Sequence, residues 1–492
     1  MASDTILEVR KYGDGFIKAL NQELYRNLAG LKEETNLKSI YEAHLIFGST
    51  DVFFSLKDTS PKDVEEEKGL KLILSLLARS IVENKTAKLK DEILRIEATD
   101  EIRVDYKTIP YRSAAAEIKR EAIRTKREDI DRKRREIALR LDPLFLKILE
   151  TAHGAASEIG FSYISLCDEM GGLNLSEIEE KARIFLKDTE YAYRDLLKWF
   201  LLKRMELRLK DAKWHDLSYL FNSFELKSEF PKIDLKALAR KCLNEMGLDI
   251  DEGIKADLSG RKGKVSRPFC IPIEVPQNIV LSVYPVGGVE DYESFFHMLG
   301  IALLYRYRNP EDEFEFKRLT ESALEEVFGF VFRNLLLQPK WLRRYLKLDT
   351  GRDFLRFLYL KQLMIIRYYV GKLIYELSLH KDEDFRDKPD FYRQTLKEAT
   401  LSNHSEDDYL DDFDLFFHSA SYLRGYIIES ELKWYLRENF DEEWWRKKEA
   451  GDFIRNMWKE GGRTFSQDIS KIAGFEKIDL APLLKFFGEI LG

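Results

Sequence analysis

The sequence predicts a mainly α-helical protein in which one short segment forms a small β-sheet. Outside that segment, apolar residues recur at helical spacing along nearly all of the 492 residues. Inside it, four of the twelve prolines lie close together and glycines flank them, a density that a continuous helix does not tolerate. These prolines are Pro268, Pro272, Pro276 and Pro285.

Two strands are expected within the proline-rich segment. Phe269–Val275 and Asn278–Tyr284 are short runs rich in Ile and Val, and prolines bound them. The pair Gly287-Gly288 then leads into a helix, and Asp291 near its start suits the positive end of the helix dipole. The sequence therefore predicts a small sheet next to the start of a helix.

Two helical segments carry unusual charge patterns. Residues Ala114 to Leu141 contain many charges of both signs that largely cancel, which predicts a solvated helix with salt bridges, with a phosphate-binding stripe as the alternative. Phe354 to Leu379 is the most apolar long segment, but four cations interrupt it. Such cations are costly in hydrocarbon, so the segment is interpreted as a core helix with its cations at the ends or rim.

The bulk properties limit the classes of partner. A chain of this length exceeds the usual size of a single core and should divide into lobes. A net charge of -7 gives no overall attraction to nucleic acids or anionic membranes, so neither is expected as a partner. Three cysteines without metal or redox spacing, and an N-terminus without an apolar signal core, predict a reduced, cytoplasmic protein.

The segment from Phe296 to Leu303 contains part of a zinc-peptidase motif. In H-E-x-x-H, two histidines one helical turn apart bind zinc and the glutamate is the general base. Here His297 is present, but Met298 occupies the general-base position and Ile301 that of the second histidine, and neither side chain can do that chemistry. A third ligand from a second helix would be Glu326, 29 residues after His297, with Glu325 as its competitor.

Together with Gly263–Cys270, the glycine pair and Tyr422–Tyr426, these residues resemble the thimet-oligopeptidase and oligoendopeptidase family of zinc peptidases (gluzincins). The resemblance implies a helical two-lobed fold around a deep cleft, with an N-terminal helical lobe at 1–210 and a metallopeptidase-like lobe at 211–492. It further implies that the strand before the glycine pair binds an extended peptide. His418 precedes Tyr422 by four positions, where the family has five, so His418 is expected to face elsewhere. Residues implied for the substrate groove are Gly287, Gly288, Tyr422, Arg424 and Tyr426.

The function predicted from these residues is that of a pseudopeptidase that binds peptides or a protein partner. No cofactor is expected, although the family cofactor would be zinc, because His297 and Glu326 supply too few donors. The alternative is an active metallopeptidase in which Glu293, one turn before His297, completes an unusual site with His297 and Glu326. Solvent exposure or capping is the more ordinary role for Glu293. A third class is a scaffold that binds through surface tryptophans, with core packing as their ordinary role: Trp434, Trp444 and Trp445.

Overall fold

The computed structural model describes residues 2–222, 230–381 and 384–491, and helices dominate all three ranges. The first range contains α1 (Ala2–Leu28), α2 (Leu37–Ala43), α3 (Thr50–Lys57), α4 (Val64–Thr99), α5 (Ala114–Arg120), α6 (Arg124–Glu158), α7 (Tyr163–Gly171), α8 (Leu175–Met205) and α9 (Trp214–Leu220). The second contains α10 (Leu235–Glu245), α11 (Val289–Arg306), α12 (Phe314–Arg318), α13 (Ser322–Arg333), α14 (Pro339–Trp341) and α15 (Arg352–Lys381). The third contains α16 (Pro389–Thr400), α17 (His418–Phe440), α18 (Lys448–Lys459), α19 (Ser466–Ile472) and α20 (Ala481–Leu491). The predicted mainly α-helical class is confirmed.

The small sheet forms where the prolines predicted it. Its strands are β3 (Ile254–Asp257), β4 (Phe269–Glu274) and β5 (Asn278–Ser282), and the order is β3-β5-β4. β5 is parallel to β3 and antiparallel to β4, so both of its edges are already paired. The expectation that the strand before the glycine pair binds an extended peptide is therefore wrong.

A separate hairpin and a helix break were not predicted. Strands β1 (Glu101–Val104) and β2 (Lys107–Pro110) form an antiparallel hairpin before α5. The charged segment from Ala114 is two helices rather than one, because residues 121–123 leave the helical conformation and the side chain of Glu121 accepts a hydrogen bond from Ile123 N at 2.9 Å. It is also not wholly solvated, since Arg127 is buried against Asp216 of α9.

The apolar segment predicted as a core helix is α15, and this prediction is confirmed. Three of its four cations, Lys361, Arg367 and Lys372, are however buried rather than placed at the rim. Lys372 pairs with Asp414 at 2.7 Å, and Arg367 donates to the carbonyl oxygen of Ala399 at 2.7 Å. In the described ranges, no helix is both long enough and apolar enough to cross a bilayer.

One large hydrophobic core extends through both predicted lobes. It includes Val9 of α1 and Phe487 of α20, and aromatic residues of α11, α13 and α17 around the candidate site belong to it. Trp444 and Trp445 are buried in it, whereas Trp434 is exposed. Core packing therefore accounts for Trp444 and Trp445 but not for Trp434. The lobe boundary between residues 210 and 211 stays a prediction.

Candidate functional site

The glycine pair forms the turn between β5 and α11. Gly287 and Gly288 have φ values of 99° and 70°, which L-residues with a side chain rarely adopt. Asp291 fixes this turn, since its Oδ1 accepts hydrogen bonds from Val286 N at 2.7 Å and Gly287 N at 2.9 Å. The predicted groove glycines thus set the direction in which α11 leaves the sheet.

Three glycines let α11, α13 and α17 approach one another closely. A side-chain carbon at Gly300 of α11 would overlap the carbonyl oxygen of Phe328. One at Gly329 would lie 2.7 Å from the ring of His297, and one at Gly425 of α17 would lie 3.0 Å from the carbonyl oxygen of Ala323. Because of this packing, side chains from α11 and α17 reach Glu326 on α13.

Glu326 is the centre of the candidate site. His297 Nε2 lies 3.2 Å from Glu326 Oε2, and His418 Nε2 lies 3.9 Å from Glu326 Oε1. The ring of His297 packs edge-on against Phe330, and its Nδ1 is buried with no hydrogen-bond partner among the described residues. The structure therefore brings His297 and Glu326 together, and it places His418 beside them, against the expectation that His418 faces elsewhere.

Two residues of α15 bind the carboxylate of Glu293. Gln362 Nε2 donates to Glu293 Oε1 at 2.6 Å, and the Lys361 ammonium donates to Oε2. Glu293 is buried, so the expected solvent exposure or capping role is wrong. Both of its oxygens therefore already have a cationic or amide partner, and a metal ion would have to compete with these contacts. Sequence reasoning missed Lys361 and Gln362 because they lie in α15, far along the chain.

Met298 and Ile301 are both buried and belong to the large core. Their thioether and alkyl groups cannot accept a proton or bind zinc at neutral pH. Among residues 2–222, 230–381 and 384–491, no group of three or more His, Cys, Asp or Glu side chains is arranged to hold a metal ion. The residues present therefore do not fit the zinc ion that the family resemblance implies.

The predicted cleft tyrosines form an aromatic wall beside the pair. Tyr422 stacks on Tyr369 with ring centroids 3.7 Å apart, and its hydroxyl accepts a hydrogen bond from Arg333 Nη1 at 2.9 Å. Tyr426 is fully buried and packs against Phe330 at 4.4 Å. Tyr422 thus lies at the edge of the site, whereas Tyr426 is part of its support.

Arg424 lies on the opposite side of α17 from Tyr422. Its Nε donates to Ser466 Oγ at 2.9 Å, and its guanidinium is 3.7 Å from Glu321. With Glu325, it lines a cavity of about 410 Å³ between α1, α4 and α7 on one side and α13 and α17 on the other. The structure therefore assigns Arg424 and Glu325 to this cavity and not to the His297–Glu326 pair.

Burial and charge shift the pKa values of the two adjacent glutamates in opposite directions. Burial raises the pKa of Glu326, but His297, His418 and Arg333 outweigh it, so the pKa lies below its usual value. Burial and the neighbouring Glu326 raise the pKa of Glu325, although the Tyr305 hydroxyl donates to it. Burial also raises the pKa of Tyr422 to about 12, despite the nearby Arg333. At neutral pH, Glu326 is therefore ionised and Tyr422 keeps its proton.

Several solved protein structures superpose on this helical architecture over most of the chain. An oligoendopeptidase F superposes with a TM-score of 0.68 at 13% identity, over 95% of this chain and 85% of that chain. The chain has the oligopeptidase fold. PZ peptidase A with inhibitor 2 gives a TM-score of 0.64 at 15% identity, over 96% of this chain and 86% of that one. A carboxypeptidase of Pyrococcus furiosus gives 0.60 at 14% identity, over 100% and 99%.

The oligopeptidase fold is shared at very low sequence identity. No protein-family model matches the chain, and no curated protein matches it in sequence. Structural likeness at this identity shows the fold alone, because one fold can carry different chemistry at its site. The predicted two-lobed helical fold with its cleft is confirmed, and function has to be argued from the residues described above.

Proposed function

We propose that this chain is a non-catalytic protein with a metallopeptidase-like fold that binds a peptide or a flexible protein segment in the cavity between its lobes. The observation that carries the proposal is the set of contacts around Glu326. In that set, the imidazole of His297 lies 3.2 Å from the carboxylate and that of His418 lies 3.9 Å from it, and Met298 and Ile301, which the resemblance aligns with the base and the second ligand, pack in the core. A catalytic zinc site needs three protein donors and a bound water.

The alternative, a metallopeptidase that uses Glu293, His297 and Glu326, has less support. Lys361 and Gln362 occupy the Glu293 carboxylate, and moving it toward His297 would leave a buried ammonium with fewer partners. The Lys361 ammonium would lose one of its two carboxylate partners and keep only Glu290, which lies 2.8 Å from it, and weakening a buried ion pair in this way is destabilising. The arrangement therefore favours binding without metal hydrolysis.

The cavity supports peptide binding through its mixture of side chains. Apolar residues of α1 such as Leu20 and Leu24 line one side of the cavity. On other sides, Lys71, Arg79 and Glu83 of α4 and Glu325 of α13 supply charges of both signs. A short peptide carries both charges and apolar side chains, so walls of this kind suit it. The unpaired thiols of Cys167 and Cys242 are consistent with a cytoplasmic location, which forms part of the proposal.

Metal content and peptidase activity test the non-catalytic part. Protein purified without chelators should contain far less than one zinc per chain by elemental mass spectrometry. It should show no chelator-sensitive cleavage of a synthetic peptide library. One equivalent of tightly bound metal together with such cleavage would reject the proposal and support the alternative.

Thermal unfolding with short synthetic peptides of known sequence tests the binding part. A peptide that binds only the native state raises the unfolding temperature, because binding lowers the free energy of the native state relative to the unfolded state. Glu325→Gln and Arg79→Ala should reduce that rise, whereas Arg208→Ala on an exposed ion pair should not. If no peptide in the library shifts unfolding at millimolar concentration, the proposed binding function is wrong.

A further inference from the structure

The outward face of α8 exposes large apolar side chains. Ile184 is 41% exposed, Tyr191 85%, Trp199 41% and Leu202 43%. The opposite face of the same 31-residue helix is buried in the large core. Four such side chains on one face of one helix are more than scattered surface residues, and they indicate a contact surface.

Three of these apolar residues, Ile184, Tyr191 and Leu202, belong to a regular pattern on the helix. Positions 184, 188, 191, 195, 198 and 202 alternate in steps of four and three, which places them along one line of an α-helix. Apolar residues occupy 184, 191 and 202, and charged residues occupy the three positions between them: Asp188, Asp195 and Lys198. Helices that pair along their length use this spacing.

The charged positions of this line have no ion-pair partner among the described residues. Neighbouring cations are paired along the helix, Arg183 with Glu179 and Arg194 with Glu190. Within the described residues, Asp188, Asp195 and Lys198 form no ion pair. The line therefore presents solvent-exposed charges of both signs between its apolar residues.

The line is complementary to itself when two copies run antiparallel. Paired about position 193, Ile184 of one copy lies opposite Leu202 of the other, and Asp188 lies opposite Lys198. Tyr191 then lies opposite Asp195, so a phenol can donate to a carboxylate. By symmetry each pair occurs twice, as in an isologous interface. A parallel arrangement would instead place Asp188 opposite Asp188.

We propose that this protein forms a symmetric dimer in which the α8 helices of two copies pack antiparallel through this line. The partner is a second copy of this chain, because the residues along the line are complementary to the same line running in the opposite direction. With two aspartates and one lysine, the line offers no attraction to an anionic membrane or a nucleic acid. The contact is on the opposite face of α8 from the core, so the inference does not depend on the proposed function.

Sedimentation equilibrium of the full chain over a concentration series tests the dimer. The wild-type protein should associate reversibly to a dimer. Asp188→Lys places two lysines opposite each other twice in the dimer and should raise its Kd about tenfold or more. Lys198→Asp should do the same with two aspartates. The double variant D188K/K198D restores both pairs with reversed charges, and its Kd should return to within about threefold of the wild-type value.

Circular dichroism checks that each variant keeps the wild-type helix content and unfolding temperature. Since positions 188 and 198 are exposed, little change is expected. Tyr191→Asp, which places two carboxylates opposite each other twice in the dimer, gives an independent disruption if either charge variant folds poorly. A wild-type protein that stays monomeric at the highest concentration would overturn the proposal. So would a dimer that D188K leaves intact, or a double variant as impaired as the single ones.

Discussion

His297 depends on residues far along the chain for its position. Glu326 contacts its imidazole, Gly329 leaves space for its ring, and Phe330 packs against the edge of that ring. Met298, next to it on α11, packs in the core. The side chain at a single position of α11 therefore decides whether that position supplies a metal ligand, a general base or a packing group.

A first prediction concerns the two altered motif positions. The double variant M298E/I301H adds a carboxylate and a second imidazole beside the existing His297–Glu326 pair, so it should bind about one zinc per chain. Isothermal titration with zinc measures this, and M298Q/I301N controls for the cost of burying polar groups. A folded double variant that takes up no zinc would mean that positions 298 and 301 do not face the pair.

A second prediction concerns Glu431 on α17, a buried carboxyl that accepts a hydrogen bond from Asp479 N at 2.6 Å. Burial raises its pKa from 4.5 to about 7. A raised native pKa means that the unfolded chain releases this proton first, so the stability contribution is complete below pH 4.5 and is lost as pH rises through 7. Glu431→Gln removes this loss.

Chemical denaturation at a series of pH values measures the effect. Glu431→Gln should be more stable than the wild-type protein by about 3 kcal/mol at pH 8, with little difference at pH 4.5. An equal effect at both pH values would show that the carboxyl does not titrate in this range.

At the scale of elements, the site depends on how closely α11, α13 and α17 approach. Gly300 and Gly425 lie at the contacts between these helices, where the backbone of α13 occupies the space of a side chain. Sequence spacing predicted both α11 and α13, because a helix follows from local periodicity. It did not predict their separation, which depends on three glycines that are distant in sequence.

A third prediction compares two glycines inside helices. Gly300→Ala should destabilise the protein by about 2 kcal/mol or more, since the methyl group overlaps the carbonyl oxygen of Phe328. Gly154→Ala in α6 has no atom within 4 Å of the added carbon, so it should stabilise the protein by about 0.5–1 kcal/mol. Denaturant unfolding of both variants measures the difference, and similar effects of the two would contradict this account of the packing.

At the scale of the whole molecule, buried ion pairs join parts of the chain that the sequence analysis assigned to different lobes. Arg127 of α6 binds Asp216 of α9 at 3.0 Å, and both side chains are almost fully buried. Burial opposes the charge of Asp216, but hydrogen bonds from His215 and Arg124 prevail and lower its pKa below its usual value. The N-terminal helices are therefore fixed to the rest of the protein by charge as well as by apolar packing.

A fourth prediction tests this connection. Asp216→Asn leaves the buried Arg127 without its carboxylate, so it should destabilise the protein by about 3 kcal/mol while unfolding stays a single transition. Asp211→Asn nearby removes only an exposed partner of Arg208 and should change stability by less than about 0.5 kcal/mol. Calorimetry distinguishes these outcomes, and two separate transitions in the wild-type protein would show that the lobes unfold independently.

The sequence by itself determined the helical class, the position of the proline-rich sheet and the absence of a base at Met298 and a second imidazole at Ile301. These follow from local periodicity, backbone restriction and side-chain chemistry, which need no distant contacts. Only the tertiary structure decided that Lys361 and Gln362 hold Glu293, that His418 lies beside Glu326, and that both edges of β5 are paired. Each of these contacts joins residues far apart in the chain. They depend on how side chains pack and on the order of the strands in the sheet, which only the folded structure sets.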